Sequence, residues 1–217
     1  MLDDFCGKEC GPGQPCAPPE GSLEERFERG LTFEQFLETV TEHRDLWHKL
    51  AKRAAIPEDL AVRARALPGT WHLLVLSEGW CGDSHSVMPY LARLTEAAPQ
   101  IDLRILQRDA NLDLMDSHLT GNSRSIPIVI VLDANFEERG WWGPRPTPLQ
   151  EWVSAVGMTL AKEERYREVR TWYVRDRGVT TLTEIVCLLE RLADPHRRAI
   201  RGNGADAARA AAREGAM

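Results

Sequence analysis

The stretch that most constrains the fold is IPIVIVLD, residues 126–133. Its apolar residues follow one another without polar interruption, and most are β-branched. A run of this kind and length is a buried strand. It falls far short of the roughly 18 apolar residues that a membrane span needs, and no other stretch approaches that length. WHLLVLS, residues 71–77, has the same character. IDLRILQ, residues 101–107, alternates apolar with polar, the period of a half-buried strand. NFEERGWW, residues 135–142, follows turn material at Asp133, Ala134 and Asn135 and reads as the return arm of a hairpin.

Helical periodicity fills the gaps. Phe33, Phe36, Leu37 and Val40 recur at three- and four-residue spacing behind a candidate cap at Thr32, and the pattern resumes at Leu46, Trp47 and Leu50, which predicts helix over 32–54. Pro57 opens a short helix to about Leu67. A helix from Cys81 to about Ala98 has Val87, Leu91, Leu94 and Ala98 on its apolar face. Residues 111–119 form a short helix with Asn111 as its cap, and helices follow near 147–156, 160–176 and 180–193. The order strand–helix–strand–helix–strand–strand–helix is an α/β arrangement. Both crossovers are long enough for parallel pairing, and the last two strands form a hairpin.

Five segments follow. Residues 1–22 are a Cys-, Gly- and Pro-rich extension without periodicity, 23–69 an N-terminal helical segment, 70–157 the core, 158–194 C-terminal helices, and 195–217 a tail. Residues 191–217 carry six Arg against three acids and no core-facing stripe, so they read as solvated. A net charge of −6 argues against nucleic acid as the main partner. The opening MLDDFCGKEC is acidic and has no apolar stretch, so no secretory signal is read there and a cytoplasmic location is the expectation. The five cysteines, Cys6, Cys10, Cys16, Cys81 and Cys187, are then expected mostly as thiols. Cys187 lies in an apolar helix stripe and is expected in the core. Cys6, Cys10 and Cys16 lack an evident fourth metal ligand. They stand as thiols of an extension, a metal set, or a source of a resolving thiol.

Chemistry concentrates at SEGWCGDSHS, residues 77–86. A cysteine where a strand gives way to a helix meets unpaired N–H groups and the positive end of the helix dipole. Such placement lowers a thiol pKa to roughly 3.5–7.5 and favours the nucleophilic thiolate. The alternative is a small buried hydrophobe. Ser84, three residues on, either donates its hydroxyl to the Cys81 sulfur or simply caps the helix. His85 reads as an exposed surface histidine.

WCGDS resembles the Trp-Cys-Gly-Pro-Cys site of the thioredoxin family. Pro89 stands where the family kinks its active-site helix, and Ile126-Pro127 stands where the family places a cis-proline opposite the thiol. The resemblance covers residues 70–157, and WCGDS, RSIP and GPRP look like a bacterial branch of thioredoxin-like proteins with an altered site. It implies a thioredoxin-like α/β fold: a central mixed sheet flanked by helices, with N- and C-terminal helical extensions. Ser84 replaces the resolving cysteine, Asp83 the proline, and Val75 the buried acid. What remains serves attack by one thiol. The resemblance therefore implies a monothiol thiol–disulfide oxidoreductase with Cys81 and Ser84 at the reacting centre. Trp80, Gly82, Asp83, Ile126 and Pro127 would bind the substrate, and a cis Ile126–Pro127 bond is expected. No metal or resident cofactor is implied. The partners would be protein thiols or disulfides, with glutathione or another low-molecular-weight thiol as reductant. The alternative is a non-catalytic module that binds a partner in the groove beside Pro127.

Overall fold

The structure is a computed structural model and describes residues 21–194. Four strands, β1 (Trp71–Ser77), β2 (Ile101–Gln107), β3 (Ile128–Leu132) and β4 (Glu138–Trp142), form one sheet in the order β2-β1-β3-β4. β1 and β2 are parallel, with Trp71 opposite Ile101 and Ser77 opposite Gln107. β3 runs antiparallel to β1, with Leu76 opposite Ile128. The second crossover therefore reverses the chain, where the sequence allowed a third parallel strand. β4 returns antiparallel along β3, with a bulge at Val131 and Leu132.

The uninterrupted apolar runs follow from helices on both faces of the sheet. Leu73 and Val75 of β1, Leu103 and Ile105 of β2, and Val129 and Val131 of β3 point into one core layer. Leu74, Leu76, Leu106, Ile128, Ile130 and Leu132 point into the other. Successive strand residues face opposite ways, so only a sheet covered on both sides buries every position of a run like IVIVL. Each such Leu or Ile contributes about 2 kcal/mol on burial.

The first layer is closed by α2 (Phe33–Thr39), α3 (Arg44–Arg53), α4 (Glu58–Arg65), α5 (Ser84–Ala97), α7 (Thr147–Ala155), α8 (Lys162–Asp176) and α9 (Val179–Ala193). The second is closed by α1 (Leu23–Arg29) and α6 (Leu112–Asp116) through Phe27, Leu114 and Met115. Ser22 and Glu25 form a reciprocal capping box at α1, and Thr32 and Gln35 do the same at α2. Asn111 precedes α6 without capping it. Its amide donates to the Gln107 carbonyl, and its oxygen accepts from Arg26, which also grips Asp113 and ties α1 to α6. Leu31 exchanges two backbone hydrogen bonds with Ile105, so the chain after α1 lies along the open edge of β2.

The helix expected over 32–54 is two helices. Val40 is extended and His43 left-handed, with φ 56°. The break falls at Val40-Thr41, two β-branched residues that disfavour helix. It lets Phe36 and Trp47 meet edge to face at 5.4 Å. Val40 packs beside Gly79, and the Trp47 indole N–H donates to the Gly79 carbonyl at 2.8 Å. α3 thus holds the loop that leads to Cys81.

The turn from α8 to α9 passes through Arg177 and Gly178, both at positive φ. A Cβ on Gly178 would lie 2.3 Å from the Tyr90 ring of α5. Gly178→Ala therefore combines a disfavoured backbone with an impossible contact, and it is expected to cost about 3 kcal/mol. Urea denaturation would show a lower midpoint at unchanged slope.

Candidate thiol site at the head of the sheet

β1 ends at Ser77, and Glu78, Gly79 and Trp80 lead to Cys81. The Cys81 N–H closes a turn on the Glu78 carbonyl at 3.1 Å, and the Cys81 carbonyl accepts from the His85 N–H at 3.2 Å. α5 starts at Ser84, so Cys81 precedes the helix and does not occupy its first turn as the sequence suggested. Its sulfur still lies over the helix start. The Ser84 N–H donates to Sγ at 3.5 Å, and the thiol reaches the Ile126 carbonyl at 3.4 Å. The Ile126–Pro127 peptide that follows is cis, and Pro127 is buried.

The electrostatics run against the expected thiolate. Cys81 is 7% exposed. Burial pushes its pKa up, and the Asp83 carboxylate pushes it further. Hydrogen bonds from Ser84 and from the backbone of Asp83 pull it down but do not prevail. The helix dipole acts through where the sulfur is placed, while its ionisation also depends on how deeply the sulfur is covered. The Ser84 side chain is fully buried. Its hydroxyl lies beside Sγ and favours the thiolate, although it meets hydrogen-bond geometry with no atom of the described residues.

Asp83 turns inward. It is the N-cap residue of α5, but its side chain makes no capping bond and is 7% exposed, so it does not reach the surface where substrate binding was expected of it. Its carboxylate takes two bonds from Arg145, Nε to Oδ1 at 3.0 Å and Nη2 to Oδ2 at 2.6 Å, and a third from the Tyr173 hydroxyl at 3.0 Å. Burial pushes the Asp83 pKa up while Arg145 and Tyr173 pull it back. The Tyr173 hydroxyl is held well above its ordinary value by burial and the adjacent carboxylate, which keeps it a donor. Arg145 arrives through GPRP. The Gly143–Pro144 peptide is cis, and Gly143 has φ 133°. A Cβ there would lie 2.3 Å from the Pro127 carbonyl, so only glycine lets this segment pass beneath Pro127.

Cys81, Ser84, Ile126 and Pro127 thus converge. Gly82 is exposed at the rim, where its carbonyl accepts from Ser86 Oγ at 3.1 Å. Trp80 is 45% exposed and lies beneath the Arg108 guanidinium, 4.9 Å away. Several functional candidates had no sequence signal of their own. The partnership of Arg145 and Tyr173 with Asp83 spans 62 and 90 residues of chain. Glu78 is buried at the end of β1, accepts from the Asp109 N–H at 2.9 Å, and is pushed up by burial. His85 is not a surface residue. It is 7% exposed, edge-on to Trp47 and facing His43, and burial lowers its pKa to about 4. It faces Arg170 as well, whose charge adds to that of His43 in opposing protonation.

Cys187 is half-buried, outside the core proper, and accepts from Arg63 at 3.1 Å. Cys6, Cys10 and Cys16 lie outside the described residues. Among the described residues no three His, Cys, Asp or Glu side chains converge as metal ligands, and no helix is long and apolar enough to cross a membrane.

A cysteine ahead of a helix that contains Pro89, touching the X-Pro start of the neighbouring strand in a four-stranded mixed sheet, defines a thioredoxin-like protein. A family model described as Thioredoxin matches residues 30–176, and the chain belongs to that family. Among solved structures, a protein of unknown function from Pseudomonas aeruginosa is 20% identical with a TM-score of 0.65, covering 79% of this chain and 98% of that one. An HIV epitope-scaffold is likewise 20% identical with a TM-score of 0.64, covering 78% and 98%. At this identity the likeness speaks for the fold alone. No curated protein matches the sequence.

Asp83→Asn removes the negative charge beside the sulfur and leaves Arg145 unpaired. The Cys81 thiol should then ionise at lower pH and be alkylated faster near neutrality, at a stability cost of about 3 kcal/mol. Iodoacetamide kinetics against pH, with the adduct mapped to Cys81, check this, and an unchanged rate would contradict it. For His85, the unfolded chain takes up a proton near the ordinary 6.5 while the folded chain refuses it until about 4. Stability is therefore full above that window and falls as pH drops through it. His85→Gln should flatten this acid limb in denaturation curves collected across the window.

Proposed function

We propose that this protein is a monothiol thiol–disulfide exchange protein acting through Cys81. The observation that carries the reading is the setting of one sulfur between the Ser84 N–H and the Ile126 carbonyl, beside Pro127, with serine at the resolving position. The thiolate attacks one sulfur of a disulfide, forms a mixed disulfide with it, and releases the other half as a thiol that takes up a proton. Ser84 has no sulfur with which to break that bond. A second thiol must do so, taking over the partner half and returning Cys81 to the thiol state. Glutathione, another low-molecular-weight thiol or a protein thiol would fill this role, and a reducing compartment such as the cytoplasm would supply it. An extended substrate segment would lie beside Ile126 and Pro127, with Trp80 and Gly82 at the rim. Asp83 and Arg145 act from behind, setting the position and acidity of the thiol.

A second reading is a thioredoxin-like module that binds without turnover. It is favoured by the same burial that pushes the thiol up and by the exposed Trp80.

The two readings part on one experiment. With glutathione disulfide, followed by acid quench and peptide mapping, the glutathionyl adduct on Cys81 should form at a rate that climbs about tenfold per pH unit through the mildly alkaline range, because the thiol is held protonated. Free glutathione should release it. Cys81→Ser should lose the adduct at that position, and Cys187→Ser should keep it. Absence of a Cys81 adduct even at alkaline pH, with the fold intact, would leave the binding module.

A further inference from the structure

Behind the thiol loop lies a groove that the exchange reaction does not use. Its walls are α3, the chain from α3 into α4, the first turns of α5, the last turns of α8, and the α8–α9 turn. Its volume is about 730 Å³. The lining is mainly apolar, and Val174 is 74% exposed, Val179 45% and Leu46 38%. The floor is closed by two buried side chains, His85 and Tyr173. Three arginines, Arg53 at the end of α3, Arg170 in α8 and Arg177 at the C-cap of α8, stand around it. None of the three makes a side-chain hydrogen bond or ion pair with a described residue. No Asp or Glu lines the groove. The acid that acts on the neighbouring Tyr90 is Asp176, which is engaged by the hydroxyl and N–H of Thr180.

Several arginines elsewhere on this surface find carboxylates, although among the described residues Arg44, Arg175 and Arg191 do not, and what distinguishes Arg53, Arg170 and Arg177 is that they gather around one acid-free groove. Arg63 pairs with Glu190, Arg65 with Glu58, Arg93 with Glu96 and Arg124 with Asp116. Three exposed guanidiniums without a partner among the described residues, set around exposed valine and leucine, suit a ligand that is both anionic and apolar. A guanidinium offers a carboxylate two parallel N–H donors. Exposed apolar side chains over a closed floor offer a dry bed for hydrocarbon. The volume lies within the range of roughly 300–1,000 Å³ of small-molecule sites, and the buried floor makes this a cleft, unlike the open face a folded partner would need.

We infer that this groove binds a small carboxylate with an apolar body, its acid held by Arg53, Arg170 and Arg177 and its hydrocarbon laid against Leu46, Val174 and Val179. The ligand would rest on the ring of Tyr173, whose hydroxyl holds Asp83, and on His85. The inference stands independently of whether Cys81 turns over.

Decanoate is the probe, and decanol its neutral counterpart of equal length. Titration calorimetry on the full chain should show saturable decanoate binding with a dissociation constant below about 1 mM, and decanol at least about fivefold weaker. Each exposed Arg→Gln change should weaken decanoate by about threefold, and the triple Arg53→Gln, Arg170→Gln, Arg177→Gln variant by about tenfold or more. Added salt should weaken decanoate and leave decanol unchanged. Val174→Asp places a carboxylate in the groove at an exposed position, and should abolish decanoate binding while circular dichroism stays native. Equal affinity for decanoate and decanol would overturn the inference. So would native affinity in the triple variant or in Val174→Asp, or no saturable binding at millimolar decanoate. An acidic, leucine-containing peptide that displaces decanoate at concentrations below those at which decanoate binds would overturn it in favour of a protein partner.

Discussion

The ion pair between Asp83 and Arg145 is the interaction around which the site is arranged. A carboxylate and a guanidinium are both drawn out of water, and a tyrosine hydroxyl supplies a third bond. Desolvating two charges is expensive, and such a pair adds little net stability over a well-packed apolar replacement. What it adds is geometry. Asp83 leads the chain from the cysteine into α5, Arg145 arrives beneath Pro127 by way of Gly143, and Tyr173 comes from α8. The loop cannot shift without leaving a buried charge unpaired, which typically costs about 3–5 kcal/mol. Burial holds the thiol protonated and the same carboxylate that holds the loop adds to it, so positional order and nucleophilic readiness oppose each other at this residue.

Much of the fold was legible because each strand had only one way to satisfy its pattern. WHLLVLS and IDLRILQ became β1 and β2 at the residues where their apolar character begins and ends. The caps at Thr32 and Pro57 also mark real helix starts. The direction of β3 was not legible, since a crossover of that length connects strands of either sense. Nor was the break after Thr39, because the apolar spacing that stops at Val40 resumes at Leu46 as one longer helix would. Turning the chain there depends on Trp47 reaching the Gly79 carbonyl, a contact between residues 32 apart.

The site divides along the same line. WCGDS and Ile126-Pro127 carried the convergence of Cys81, Ser84 and Pro127, because each lies at the end of a recognisable element. Asp83, expected among the substrate-binding residues, and His85, expected at the surface, both turn inward, because a polar side chain at a helix start shows its burial only once its partners are known. The partner of Asp83 stands in GPRP, a phrase the sequence displayed without disclosing what its arginine meets. The depth of Cys81 had no local signal at all. It depends on Ile126 and Pro127, 45 residues and more along the chain, closing around the sulfur opposite Ser84.

The indole of Trp47 bears on how such a protein can be inherited or dissected. Its hydrogen bond to Gly79 comes from a helix that precedes the sheet, as the Tyr173 hydroxyl comes from one that follows it. The strands and their crossover supply the cysteine, while the flanking helices supply its surroundings. Excising the strands and their crossover, or grafting them into a foreign scaffold, would carry the sulfur across and leave its setting behind. The unit that evolution can duplicate or recombine with its chemistry intact is the sheet together with the helices on either side of it in the chain.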